Sequence, residues 1–383
     1  MQEQELTDVL RAVRDFVRKE VVPREAEIDA KDEVPEGIRA KAREMGLFGF
    51  TIPEEFGGLG LTVTEESRLV FELGYTTPAL RSMFGTNNGI AGHVLLEGGT
   101  EQQKAAWLPR IASGEVVASF ALTEPEAGSN PAELRTVATR DGDDYLITGS
   151  KRYITNAPLA HLFMVFARTQ DTGRPADDIA VFLVERDTPG LGIGARDHKM
   201  GQFGAWTADV HLDGVRVPAS AIVGGESGSG YVTAMRSLSH GRVHIAALCV
   251  GMAERLVDES VSYAQTRMQG GRPIGSHQLV QGLIADSVTE TMAGRSLVLE
   301  AARRYDDGSD RRTGPAAAKY FCSEMVGRVA DRAVQIHGGA GYMRDSAVER
   351  FYRDARLFRI YEGTSQIQQV IIAKALLGEA ARG

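Results

Sequence analysis

The stretch Val210-His211-Leu212-Asp213-Gly214-Val215-Arg216-Val217-Pro218 decides the fold class, because it ends a series of strand-like runs just before long helical periods begin. The earlier runs are Tyr145-Leu146-Ile147-Thr148, Leu162 to Ala167 and Ile179 to Val184, with Gly, Asp and Pro between them. No helix-length pattern separates these runs. That argues against a parallel sheet of strand–helix–strand units and for an antiparallel barrel or sandwich between about Val117 and Val223.

Outward from this region the period changes. Toward the N-terminus, Leu6, Val9, Leu10, Val13, Phe16 and Val17 recur at helical spacing until Pro23, and further helical stretches reach about Leu108. The Gly-rich turn Phe56-Gly57-Gly58-Leu59-Gly60 interrupts them. Toward the C-terminus, Gly224 to Gly230 reads as a hinge, and helices are expected at about 231–268, 276–305, 315–337 and 364–378. Four long helices suggest a bundle. The expected architecture is α+β and multidomain: an α-helical domain over 1–116, an antiparallel β-barrel over 117–225 and a four-helix bundle over 226–383.

The 383 residues are 43% hydrophobic and 25% charged, as in a soluble globular protein with room for a cofactor. A net charge of -8 without a basic patch argues against a nucleic-acid partner. No apolar run is long enough to span a bilayer, and the acidic, polar start MQEQELTDVL is neither a signal nor a transit peptide, so a cytoplasmic protein is expected. Cys249 and Cys322 sit far apart in apolar segments and read as buried thiols. His240 and His244 stand four apart on an expected helix, but no third ligand is near. They read as surface or interface histidines, and no metal is expected. There is no strand-borne G-x-G-x-x-G, P-loop, G-x-S-x-G elbow or H-E-x-x-H.

The sharpest chemical signal is Ile360-Tyr361-Glu362-Gly363-Thr364-Ser365-Gln366-Ile367-Gln368. Thr364 can cap a following helix with apolar positions Ile367, Val370 and Ile371. That sets Glu362 just ahead of a helix N-terminus, which favours a carboxylate, and beside Gly363, where backbone can approach a ligand. A carboxylate shut off from water by an apolar chain becomes a stronger base. Alone, the segment would read as a helix-capping glutamate.

Four further blocks occur in order with it: Leu122-Thr123-Glu124-Pro125-Glu126-Ala127-Gly128-Ser129, Tyr153-Ile154-Thr155-Asn156, Arg267 to Ile274, and Gln335-Ile336-His337-Gly338-Gly339-Ala340-Gly341. Together they resemble the acyl-CoA dehydrogenase family over nearly the whole chain. The resemblance implies FAD as cofactor and an acyl-CoA thioester as substrate. Glu362 would remove the alpha proton, flavin N5 would take the beta hydride, and the Glu362 N–H with a flavin hydroxyl would hold the carbonyl oxygen.

The same resemblance assigns the remaining residues. Phe120, Leu122, Thr123, Gly128 and Ser129 would line the flavin and its pyrophosphate, Thr155 would bond flavin N5, and Tyr153 with Ile154 would cover a ring face. Arg267 would reach the pyrophosphate from a neighbouring subunit, with Gln278, Gln335, Gly338, Gly339, Thr364 and Gln366 as further cofactor contacts. Ser129, Ser239, Arg242 and Gly363 would meet the substrate. Many relatives carry Trp where Tyr153 stands, Phe where Gly270 stands, Asp where Ser239 stands, Asp where Asn130 stands and Gly where Glu126 stands. One family branch takes its base from the residue before Arg242, which here is Gly241. The resemblance further implies a homotetramer (a dimer of dimers) and an electron-transferring flavoprotein as electron acceptor, with no membrane or nucleic-acid partner. A carrier-protein-bound acyl substrate and a flavin-free scaffold remain as alternatives; an oxidase of usual length and an Asp-based nitroalkane oxidiser fit less well.

Overall fold

The computed structural model describes residues 1–170, 172–174, 176–225 and 230–380. Seven helices come first: α1 (Glu3–Phe16), α2 (Glu25–Lys31), α3 (Glu36–Glu44), α4 (Val63–Gly74), α5 (Pro78–Asn88), α6 (Ile90–Gly98) and α7 (Glu101–Ala112). The chain does not break at Pro23. A π-helical turn at Val17–Val21 and a 3-10 turn at Val22–Arg24 carry the helix path onward, which keeps Val17 and Val21 buried. Helix α4 starts in a capping box between Thr62 and Glu65.

The middle region holds β1 (Ala118–Ala121), β2 (Val137–Asp141), β3 (Asp144–Thr155), β4 (Leu162–Arg168), β5 (Ile179–Glu185), β6 (Leu191–Arg196) and β7 (Thr207–Pro218). They form one curled, roughly barrel-like sheet in the order β1-β4-β2-β3-β7-β6, with β5 on the other edge of β4. Most pairs are antiparallel, as expected from the sequence. The sheet is nevertheless mixed: β1 runs parallel to β4, and β2 meets β4 in parallel at Val137 and Arg168. The physical reason is the connection from Leu122 to His161. It contains the β2–β3 hairpin, so the chain can return in the same direction without a crossover helix. Strand β4 reads as a continuous apolar run because both its faces are buried. Leu162, Met164 and Phe166 pack into one core, while Phe163, Val165 and Ala167 pack into another.

The last region contains α8 (Gly230–Thr266), a hairpin of β8 (Met268–Gln269) and β9 (Arg272–Pro273), then α9 (Gln278–Asp306), α10 (Thr313–His337), α11 (Ala347–Ala355) and α12 (Ser365–Ala380). The four long helices lie where the periodicity placed them, and α11 is an addition that the sequence reading missed. Of the expected hinge Gly224–Gly230, residues 226–229 lie outside the described residues. Gly270 and Gly271 have φ of 59° and 77° and form the turn of the β8–β9 hairpin, where both central residues need the left-handed region. Glycine at 270 meets that requirement without strain.

Helix α8 is buried on all sides from Ser239 to Ala253, as a helix threaded through a core must be. Asp306 at the end of α9 accepts hydrogen bonds from the Val63 and Thr64 N–H groups at 2.8 and 2.9 Å, so the bundle caps α4. Cys249 and Cys322 are free and buried. Among the described residues no helix is long and apolar enough to cross a membrane, and no cluster could hold a metal ion.

Helices α4 and α8 meet backbone to backbone. A Cβ on Gly251 would lie 2.2 Å from the Phe71 carbonyl oxygen, and one on Gly74 would lie 2.5 Å from that of Leu248. Gly251→Ala is therefore expected to force the helices apart and to lower unfolding stability by about 1–3 kcal/mol. Thermal or denaturant unfolding measures this, and an unchanged midpoint would mean that the helices do not touch there.

Candidate active site

Between α11 and α12 the chain reverses through two left-handed residues, Glu362 (φ 54°) and Gly363 (φ 89°). A non-glycine residue in that region stores strain unless its surroundings hold it. Here Lys319 Nζ donates to the Gly363 carbonyl at 2.7 Å, and Gln368 Nε2 donates to the carbonyls of Glu362 and Gly363 at 3.2 and 2.9 Å. Lys319 is fully buried, and burial pulls its ammonium down to about 8. Thr364 Oγ1 accepts the Ile367 N–H at 3.3 Å, the expected cap. Among the described residues no acceptor is bonded by the Glu362 N–H.

The Glu362 side chain is 9% exposed. Its Oε1 faces Arg81 Nη2 at 3.8 Å, while Oε2 is buried with no partner. A Cβ on Gly241 would lie 2.5 Å from Oε2 and 3.2 Å from Ile90 Cγ2, so the carboxylate occupies the space a side chain at 241 would fill. Positions 241 and 362 thus compete for one volume. Arg242 is also buried beside this group, and its Nε lacks a partner. Burial lowers the Arg242 pKa while the charge of Glu362 opposes that shift. Ser239 does not point into this space: it donates to the Arg311 carbonyl at 2.5 Å. Sequence reasoning missed Arg81, which sits within α5 where only its three-dimensional neighbours mark it.

A second surface is the rim of the sheet. Glu124 is buried and accepts from Lys151 Nζ at 2.7 Å, from the Thr136 N–H at 3.0 Å and from the Arg135 N–H at 2.5 Å. Burial alone would raise the Glu124 pKa, but Lys151 and these donors hold it below its usual value. The pair pins the Leu122–Ser129 loop to β3, and Arg152 N–H adds a bond to the Thr123 carbonyl at 2.9 Å. Phe120, Leu122 and Ile154 point into the core, so only their backbone faces the rim. Gly128 and Ser129 are exposed. Glu126 makes an exposed ion pair with Arg135, which explains its tolerance but little stability. Nothing in the structure explains Asn130. Tyr153 sits in a register shift of β3 at φ 58°, which turns its ring outward, 60% exposed, under the Arg152 guanidinium. Thr155 ends the strand, and its carbonyl accepts from Ser119 Oγ at 2.7 Å.

The remaining expected cofactor residues divide. Thr364 and Gln366 line an open cleft of about 320 Å³ with Glu324, Arg356, Arg359, Ile360 and Ser365. Arg267, Gln278, Gln335, Gly338 and Gly339 are all exposed at the opposite end of the bundle. There the C-termini of α8 and α10 adjoin, with the Tyr263 and His337 rings stacked at 4.2 Å. Arg267 lies 25 residues beyond Arg242, about 37 Å along the helical path at 1.5 Å per residue. One chain therefore does not bring these residues to Glu362. The expectation for His240 and His244 is overturned: both are buried, not at the surface, because Glu66 of α4 takes a hydrogen bond from each.

Family models for the acyl-CoA dehydrogenase N-terminal, middle and C-terminal domains match residues 3–115, 119–215 and 228–377. An acyl-CoA dehydrogenase of Bacillus subtilis (strain 168) is 39% identical over 98% of this chain and 98% of its own. The caffeyl-CoA reductase–Etf complex subunit CarC of Acetobacterium woodii is 36% identical over 96% of this chain and 97% of its own. The solved butyryl-CoA dehydrogenase of Megasphaera elsdenii superposes with a TM-score of 0.94 at 32% identity, covering 98% of this chain and 99% of that one.

Gly241→Ala places a methyl against the Glu362 carboxylate. A crystal structure of the variant is expected to show that side chain shifted by about 1 Å or more, because close-packed interiors yield rather than overlap. An unmoved carboxylate would show that the two positions do not share a volume.

Proposed function

Because the chain belongs to the acyl-CoA dehydrogenase family, FAD-dependent oxidoreductases that act on CH–CH groups, we propose that it oxidises an acyl-CoA thioester to its trans-2-enoyl form with Glu362 as base. The observation that carries this reading is the Glu362 carboxylate itself. One oxygen faces a cation, and the other is buried, unpaired and next to the space opened by Gly241.

The residues fit a flavin. Tyr153 offers an outward ring, and the Glu362 N–H is free to donate. Phe120, Leu122, Thr123, Gly128, Ser129, Tyr153, Ile154 and Thr155 would hold it from the sheet rim, with Thr364 and Gln366 below. Bound FAD supplies the acceptor for the hydride leaving the beta carbon. The protein's own residues do the rest. Glu362 Oε2 takes the alpha proton, the Glu362 N–H stabilises the charge that develops on the thioester oxygen, and Arg242 with Gly363 borders the reacting end. Ser239, bonded inward, is a wall rather than a ligand.

The separation along the bundle supports a site completed by a second copy, whose Arg267, Gln278, Gln335, Gly338 and Gly339 would reach the dinucleotide. The resemblance to the family supports a homotetramer, a dimer of dimers, that passes electrons to an electron-transferring flavoprotein, and a relative is itself named as part of an Etf complex; the polar N-terminal stretch supports a cytoplasmic location. The domain limits we propose are 1–116, 117–225 and 226–383.

Glu362→Gln should retain FAD yet slow its anaerobic bleaching by acyl-CoA at least about 100-fold, tested over thioesters of graded length and branching. Unchanged bleaching would remove Glu362 as the base. Arg267→Ala should lower FAD retention on dilution while leaving the fold intact; retention at the wild-type level, or full activity in a monomer, would end the two-subunit assignment.

A further inference from the structure

Helices α4, α5 and α8 bury a chain of polar side chains that proton abstraction at Glu362 does not by itself require. Glu66, 1% exposed, accepts from His240 Nε2 at 2.6 Å and from His244 Nδ1 at 2.5 Å. His244 meets Arg81 Nε through its other nitrogen at 2.6 Å. Arg81 Nη2 then stands 3.8 Å from Glu362 Oε1.

The proton positions follow from the bonding. A guanidinium donates and cannot accept, so His244 Nε2 must accept. The imidazole is therefore neutral with its proton on Nδ1, which donates to Glu66. Burial, reinforced by Arg81, pushes His244 down to about 4, in agreement. Burial opposes a charge on His240, but Glu66 outweighs it and holds that imidazole above its usual value. Burial alone would raise Glu66, yet the two histidines hold it well below the carboxylate range. Glu66 thus carries a charge held between the two imidazoles, and His244 is the neutral link from it to Arg81.

Glycine again clears the path. A Cβ on Gly85, one turn along α5 from Arg81, would lie 2.6 Å from Arg81 Nε and 2.7 Å from Cζ. The guanidinium fills that space. With its Nε fixed by His244, its Nη2 edge is turned toward the base.

We propose that His244, backed by Glu66, is a positioning residue for the reaction: it sets the Arg81 guanidinium so that Glu362 keeps one oxygen on a cation and the other free for the substrate. This rests on the reading of Glu362 as base. Two neutral substitutions separate the two bonds of His244. His244→Asn places an amide near Nδ1, keeping Glu66 satisfied and losing Arg81. His244→Gln reaches toward Nε2, keeping an acceptor for Arg81 and losing Glu66.

The FAD-loaded full-length protein is mixed anaerobically with straight-chain acyl-CoAs from butyryl- to palmitoyl-CoA, and the fastest wild-type substrate is followed. His244→Asn is expected to lower the limiting rate of flavin reduction about tenfold or more, with half-saturation changed less than about twofold. His244→Gln is expected to restore most of that rate. A histidine serving only Glu66 gives the opposite order, and that order, or wild-type rates in both variants, overturns the proposal. Should either variant fail to fold, Gly85→Ala decides: it presses on Arg81 and leaves His244 and Glu66 in place, so a wild-type limiting rate there also overturns it. Glu362→Gln is run alongside. If it still bleaches the flavin, the base assignment itself is wrong; if it does not, a failed order among the His244 variants counts against the positioning role alone.

Discussion

The Glu362 carboxylate is nearly shut off from water, and an ionised group in a dry interior is costly unless opposite charge and hydrogen bonds reach it. That tension organises the molecule. Arg81 comes from α5, Arg242 and His240 from α8, and Lys319 from α10, so three helices must converge on the turn at 361–364. The N-terminal helices and the bundle cannot then be independent layers. The backbone contact between Gly74 and Gly251 and the capping of α4 by Asp306 show how tightly they are joined.

What the sequence disclosed, and what it hid, divides by the distance over which residues act. The helical periods of α8, α9, α10 and α12 are local and placed those elements well. The Thr364 cap was also legible, because it is written in adjacent residues, whereas the left-handed turn at Glu362 was not read from them. The parallel pairing of β1 with β4 was not, since nothing in either strand records which neighbour it finds after an intervening hairpin. His240 and His244 were misjudged for the same reason: their partner Glu66 lies 174 and 178 residues away. Lys151 carries no local mark of its role, because its buried partner Glu124 lies 27 residues away. Gly270 stood out only as a departure from the family, and the structure shows it in a turn at φ 59°.

The two ends of the bundle are built differently. Near Glu362 the side chains are buried, charged and cross-braced, which suits a group whose position must not drift. At the far end Arg267, Gln278 and Gln335 stand exposed on helix termini, with Gly338 in the left-handed region beside them. The planar guanidinium of Arg267 suits recognition of phosphate oxygens better than acid–base work.

Asn156 joins these themes. It follows β3 at φ 62°, and its amide donates to the Ser82 carbonyl at 2.8 Å and to Thr86 Oγ1 at 3.0 Å on α5. Ser82 is the residue after Arg81. The rim that carries Tyr153 and Thr155 is therefore bolted to the helical turn that carries the cation. Any tilt of α5 would drag the rim with it, so the strand end and the cation keep one fixed separation.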